Sequence, residues 1–232
     1  MRILITGASK GIGAAIAAEV IKDATALILV ARSKDLLSDV KEEIQGVNQQ
    51  CDITTHVCDV AEESDVDKLM QDVETKHGGL DALVNCAGFA IPATSVQETT
   101  PEIWKEMFRV NVFSAYLMVR SSIPLLSSSS NPCIVNIGST AGISARPGWS
   151  AYAASKAAMV NFSNTMAEEL KPYGIRVHCL APGRTATELR KVLAPDEDQS
   201  TIMQPDAVAR VTRFLIGPDA DVISGQTIQV RL

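Results

Sequence analysis

Residues 2–13 read Arg2-Ile3-Leu4-Ile5-Thr6-Gly7-Ala8-Ser9-Lys10-Gly11-Ile12-Gly13, an apolar run that breaks into a glycine-rich turn; the Ala-rich stretch from Ala14 to Ile21 follows directly and predicts a helix. Strand, turn and helix in that order open a βαβ unit. Glycines at 7, 11 and 13 permit a tight turn, close approach of backbone to a pyrophosphate, and close packing of helix on strand. The helix N-terminus adds free amides and the positive end of a dipole. By itself the turn also suits a plain strand-to-helix connection, so the rest of the chain has to decide.

Outward from that turn, β-branched apolar runs alternate with stretches of helical spacing, the pattern of a parallel sheet. Strands are predicted at Arg2 to Ile5, Ala26 to Ala31, Thr54 to Cys58, Ala82 to Asn85, Cys133 to Ile137, Arg176 to Leu180 and Thr227 to Val230. Val66, Leu69, Met70 and Val73 recur at i, i+3, i+4 and i+7, so Glu62 to Lys76 is expected as an amphipathic helix ended by Gly78-Gly79. Thr99-Thr100-Pro101-Glu102 carries a helix-start signature, and that helix is expected to run to about Ser122. The reading is α/β: a doubly wound, parallel, seven-stranded sheet in a single domain over residues 1–232, with no linker to divide it.

Composition narrows the class. Against 27 Asp and Glu stand only 21 Lys and Arg, a net charge of −6, and no basic cluster points to nucleic acid or an anionic membrane surface. The longest apolar run falls far short of a membrane span, and Met1-Arg2 leads straight into the first strand without a signal peptide, so a cytoplasmic location is expected. The five cysteines, Cys51, Cys58, Cys86, Cys133 and Cys179, form no C-x-x-C pair and read as small buried hydrophobes; no metal is expected.

Three further features carry chemistry. The second strand ends Ala31-Arg32-Ser33, where a binder of NAD usually offers an acid to the adenosine ribose. Arg32 stands there instead, and Lys10 stands in the glycine turn, so two cations can converge on a 2′-phosphate; NADP(H) is expected over NAD(H). Ser139 follows the strand Cys133 to Ile137. Tyr152 and Lys156 are i and i+4 on an expected helix from Ser150 to Leu170 and so share a face. An ammonium beside a phenol favours phenolate, and such a Tyr can exchange a proton with a carbonyl oxygen that Ser139 holds. Taken alone, a Tyr-x-x-x-Lys pair on a helix is more often a surface or core pair than a functional one.

Thr6-Gly-x-x-x-Gly-Ile-Gly13, Asn85-Cys86-Ala87-Gly88, Asn111, Ser139, Tyr152-x-x-x-Lys156 and Pro182-Gly183, in this order and over nearly the whole chain, resemble the short-chain dehydrogenase/reductase family. Cys86 departs from its pattern, a second Asn being usual, and Val230-Arg231-Leu232 replaces the usual Asp-Gly-Gly ending. The resemblance implies a Rossmann-type fold and four catalytic residues: Tyr152 as general acid/base, Ser139 on the substrate oxygen, Lys156 on the nicotinamide ribose and depressing the Tyr152 pKa, and Asn111 holding a relay water. It implies cofactor contacts from Gly7, Ser9, Lys10, Gly11, Ile12, Gly13, Arg32 and Ser33, from Asp59 and Val60 at the adenine, from Asn85, Ala87 and Gly88 on the adenosine side, and from Pro182, Gly183 and Thr187 at the nicotinamide end.

The substrate is less legible. Phe89, Ile143 and Trp149 are expected as an apolar wall, with Arg146 and Arg184 available to an anionic group; residues 184–204, with Pro195, Asp196, Glu197 and Asp198, read as a polar, mobile flap. Within the family the chain resembles 3-oxoacyl-carrier-protein reductases and small carbonyl reductases. Ser127 to Ser130 with Asn131-Pro132, and Lys171-Pro172-Tyr173, stand where carrier-protein reductases place basic docking residues. A free carbonyl compound, a keto sugar or polyol, an acyl thioester, and a non-catalytic NADP(H) sensor therefore all stay in view. The resemblance also implies a homodimer or homotetramer through the fourth and fifth helices, Pro101 to Ser122 and Ser150 to Leu170, with the altered ending favouring the dimer.

Overall fold

The computed structural model describes residues 1–232. Seven strands, β1 (Arg2–Thr6), β2 (Ala26–Ala31), β3 (Asp52–Val57), β4 (Ala82–Asn85), β5 (Cys133–Ile137), β6 (Arg176–Pro182) and β7 (Thr227–Val230), form one sheet in the order β3-β2-β1-β4-β5-β6-β7, and every pairing is parallel. The inner strands read as unbroken apolar runs because both faces are covered. In β1, Ile3 and Ile5 join one core with α1 (Gly11–Val20), α2 (Lys34–Ile44) and α8 (Pro205–Ile216), while Leu4 joins the opposite core with α3 (Glu63–His77), α5 (Ser114–Leu126) and α6 (Ser150–Glu169).

The predicted boundaries shift by a few residues: β3 starts two residues before Thr54, β6 runs on through Pro182, and α1 begins inside the glycine turn. The larger difference lies in the expected helix from Pro101. Thr100 caps α4 (Pro101–Phe108), its hydroxyl accepting from Ile103 N at 3.4 Å; a π-helical turn (Arg109–Phe113) then interrupts the helix before α5. Single π turns insert one extra residue and commonly mark functional positions, and this one carries Asn111 inward, where it is 1% exposed.

The chain leaves β1 to pair β2 on one side and β4 on the other, so the loops after β1 and β4 diverge at the carboxyl ends of the strands, where open α/β sheets place ligands. Two glycines make the opening possible. Gly7 has φ +64°, and a Cβ there would lie 2.8 Å from Ala87 N; a Cβ on Gly13 would lie 2.2 Å from the Gly7 carbonyl oxygen. Thr6 fastens the two loops together, its Oγ1 accepting from Cys86 N at 3.0 Å and Ala87 N at 3.1 Å.

Candidate active site

A cleft of about 630 Å³ runs along the carboxyl ends of the strands. Its floor is the glycine turn, with Gly7, Ser9, Lys10, Gly11, Ile12 and Gly13 on the wall. Lys10 occupies the N-cap of α1 in an extended conformation without a side-chain cap, so the first amides of that helix have no capping side chain. Arg32 and Ser33 line one end, together with Asp59 and Val60; Ala87 and Gly88 line the flank, and Pro182, Gly183 and Thr187 the far side. Lys10 and Arg32 are exposed and form no ion pair. Asp59, at that end, is engaged by Arg109 at 3.3 Å, which also pairs with Glu62 at 3.0 Å and Glu106 at 2.7 Å.

Ser139, Tyr152 and Lys156 converge on the wall beyond the flank. Ser139 caps the short turn Thr140–Gly142, its Oγ accepting from Ala141 N at 3.1 Å; this leaves its O–H to donate, with the Tyr152 oxygen beside it. Tyr152 and Lys156 share the inner face of α6, with Nζ 5.9 Å from the phenol ring centroid. Lys156 is 5% exposed, and its ammonium donates to the Ile137 carbonyl at 2.8 Å, which uses one of its three N–H bonds.

The expected depression of the Tyr152 phenol by Lys156 is not what this geometry produces. Burial pushes Tyr152 above its ordinary value, with the Ser139 hydroxyl and the Arg190 charge acting weakly against it. Burial likewise pulls the Lys156 ammonium below its ordinary value. The reason is common to both: a low-dielectric site disfavours whichever form is charged.

Four expected wall residues lie elsewhere. Asn85 is 6% exposed inside β4, where its Nδ2 donates to Asn136 Oδ1 at 2.8 Å, and it does not reach the cleft. Asn111 stands behind the wall. Its Oδ1 accepts from Phe89 N at 2.7 Å, and its Nδ2 donates to Phe89 O at 2.9 Å and Ser155 Oγ at 3.0 Å. Ser155 in turn donates to the Tyr152 carbonyl at 2.8 Å, so the amide ties the segment after β4 to the helix of the phenol. Phe89 packs into a small cluster with Trp149, Tyr152 and Leu193 instead of facing the cleft, and Ile143 is 44% exposed on the outside. Arg146, Trp149 and Arg184 do line the cleft.

Residues 184–204 hold more structure than their composition suggested. They form α7 (Glu188–Leu193), capped by Thr187 Oγ1, a short turn at Gln199–Thr201, and a bridge from Thr185 to Met203. Thr187 leans over the glycine turn, its Cγ2 3.3 Å from where a Cβ on Gly11 would sit. This folding reveals Arg190, a residue sequence reasoning missed because six residues are too few to show a period. Its guanidinium lies 5.3 Å from the Trp149 ring centroid, and Trp149 meets Tyr152 edge-on at 6.2 Å. Cys86 also faces the cleft; burial pushes its thiol up to about 12, so it stays neutral there.

The residues fit a dinucleotide: a glycine cradle that a Cβ on Gly7 or Gly13 would fill, a helix N-terminus without a capping side chain, and Lys10 and Arg32 exposed and without an ion-pair partner. Residues 1–198 match the family model described as short chain dehydrogenase. The human protein "Dehydrogenase/reductase SDR family member 4" is 30% identical, the match covering 98% of this chain and 84% of that one. Among solved structures, a short-chain dehydrogenase from Escherichia coli CFT073 complexed with NADPH is 29% identical with TM-score 0.92, covering 99% of this chain and 96% of that one. A 3-ketoacyl-(acyl-carrier-protein) reductase from Brucella melitensis complexed with NADH is 30% identical with TM-score 0.89, covering 98% and 95%.

Proposed function

Because the chain belongs to the short-chain dehydrogenase/reductase family of NAD(P)-using oxidoreductases, we propose that it interconverts a small carbonyl compound and its alcohol with NADP(H) in preference to NAD(H), with Tyr152 as general acid/base. The observation that carries this reading is the convergence of Ser139, Tyr152 and Lys156 on the wall of the glycine-turn cleft. Lys10 and Arg32 would hold the 2′-phosphate, the amides of Gly11 to Gly13 the pyrophosphate, Asp59 and Val60 the adenine, Ala87 and Gly88 the adenosine side, and Pro182, Gly183 and Thr187 the nicotinamide end. When bound, the reduced dinucleotide supplies the hydride that reaches the carbonyl carbon.

The protein's own residues handle the oxygen. The O–H of Ser139 donates to it, and the Tyr152 phenol, protonated at neutral pH because burial raises its pKa, delivers the proton that completes the alcohol. Lys156, fixed by the Ile137 carbonyl, has two N–H bonds left for ribose hydroxyls. Asn111 is a positioning residue here: it holds Phe89 and, through Ser155, the backbone of Tyr152. We take residues 1–232 as one domain with 184–204 as its flap, cytoplasmic, and pairing with a second copy through α4, α5 and α6 as a homodimer or homotetramer.

The second reading is a 3-oxoacyl thioester as substrate, favoured by the name of the Brucella relative. Against it stand Ser127 to Ser130 and Lys171-Pro172-Tyr173, which offer little positive charge to an acidic carrier. The dinucleotide preference rests on Lys10 and Arg32, since the two structural neighbours carry one of each type. Titration should give NADPH roughly tenfold or more tighter binding than NADH, a difference of about 1.4 kcal/mol. Arg32→Ala should remove most of it; equal affinities in the wild type would refute the preference. A carbonyl panel followed as NADPH oxidation tests turnover itself, and failure of every member would favour a non-catalytic NADP(H) sensor.

A further inference from the structure

Resting on the carbonyl reductase reading above, we infer that the substrate is an anionic oxo compound, whose carboxylate or phosphate is met by Arg146 and Arg190 while its carbonyl lies at Tyr152. Three guanidiniums, Arg146, Arg184 and Arg190, line the same cleft as the phenol, in a chain whose net charge is −6. Only one carboxylate answers them. Glu197 takes Arg190 through Nε and Nη2, at 2.5 and 2.8 Å, and Arg184 at 3.3 Å. The two acids that line the cleft are engaged elsewhere, Glu188 by Lys191 at 2.6 Å and Asp59 by Arg109 at 3.3 Å. Arg146 has no acidic partner and donates only to its neighbour Ala145 O, at 3.4 Å.

The donors left over are well placed. Arg190 keeps Nη1 uncommitted, and its side chain is only 13% exposed, so it is held in place and partly shielded from water. Its guanidinium covers the Trp149 ring, which in turn meets the Tyr152 ring, so the cation stands one aromatic ring away from the phenol. Lys10 stands in the glycine turn and Arg32 just past the end of β2, and the reading above already gives both to the 2′-phosphate. Guanidinium recognises carboxylate and phosphate alike through paired N–H donors, so the structure names their shared chemistry and not one of the two. A charge this close to the reacting carbon selects by binding, which places the effect in KM more than in kcat.

Matched pairs test this. Acetoacetate is compared with methyl acetoacetate, and dihydroxyacetone phosphate with dihydroxyacetone, as kcat/KM with NADPH. The anionic member of at least one pair should lead by roughly tenfold or more, and which pair does so separates carboxylate from phosphate. Arg146→Ala and Arg190→Gln should each lower the ratio of kcat/KM for the anionic member to that for its uncharged partner, chiefly by raising KM for the anion. Equal kcat/KM within both pairs, or a preference that survives in both variants, would overturn the inference while leaving the reductase reading intact. A measurement independent of turnover accompanies it: calorimetric titration of the same four compounds into Tyr152→Phe saturated with NADPH. Binding of an anion there, lost in the added Arg190→Gln, sustains the inference even where no compound is reduced; no preference for either anion overturns it.

Discussion

At Tyr152 two physical effects compete, and their order sets which protonation state the phenol holds. A phenol in a dry site resists ionisation, while a neighbouring ammonium promotes it; here burial prevails because Lys156 is itself buried and turned to a carbonyl. A neutral phenol is ready to give a proton, which suits reduction, whereas oxidation of an alcohol needs phenolate. In the protein without added dinucleotide, the ultraviolet difference between wild type and Tyr152→Phe should therefore show no phenolate until above the ordinary Tyr value of about 10. Appearance of phenolate near neutrality would place Lys156 in control. Ser139, Tyr152 and Lys156 were legible in the sequence because their types and spacing state their chemistry. Asn85 misled, since its neighbours face the cleft while period two turns it into the sheet beside Asn136. Arg190 left no mark in the sequence that distinguishes it from any solvated arginine.

At the level of elements, the site depends on how closely α1 approaches the end of β1. Gly13 sets that distance: a methyl group there would have to share space with the Gly7 carbonyl at 2.2 Å, and backbone on both sides cannot yield. Gly13→Ala is expected to weaken NADPH binding by more than tenfold and to cost more than about 2 kcal/mol of stability, read by titration and by denaturant unfolding. Unchanged values for both would mean that the turn is looser than its geometry. The strands were readable as unbroken apolar runs, buried on both faces, and the long helices because their buried apolar residues repeat at a period of 3.6. The π turn was not: one inserted residue leaves the hydrophobic pattern nearly intact while rotating Asn111 from a helix face into the wall behind Phe89. The short α7 was hidden for a related reason, its order coming from the Thr187 cap and the Arg190 to Glu197 pair instead of from a buried stripe.

For the whole molecule, the two cores bury groups whose titration couples stability to pH. His178 in β6 is fully buried, its Nδ1 has no partner, and Arg176 lies 3.5 Å from its Nε2. Burial first, and Arg176 second, hold it from 6.5 down to about 4. The unfolded chain therefore takes up a proton that the folded chain refuses as pH falls from 6.5 to 4, so this contribution to stability, up to about 3 kcal/mol, is present above that window and lost through it. Thermal unfolding against pH should be flatter across the window in His178→Gln than in the wild type; parallel curves would contradict this. The sheet, its doubly wound order and the cleft at the switch point all serve one arrangement, a phenol held beside the place where a nicotinamide would lie. The most direct test follows deuterium. With NADPH deuterated at the transferable position and a carbonyl compound that the wild type accepts, deuterium should appear on the carbinol carbon, and Tyr152→Phe should lose this transfer while still binding NADPH. Transfer undiminished in Tyr152→Phe would contradict the assignment of Tyr152 as the acid.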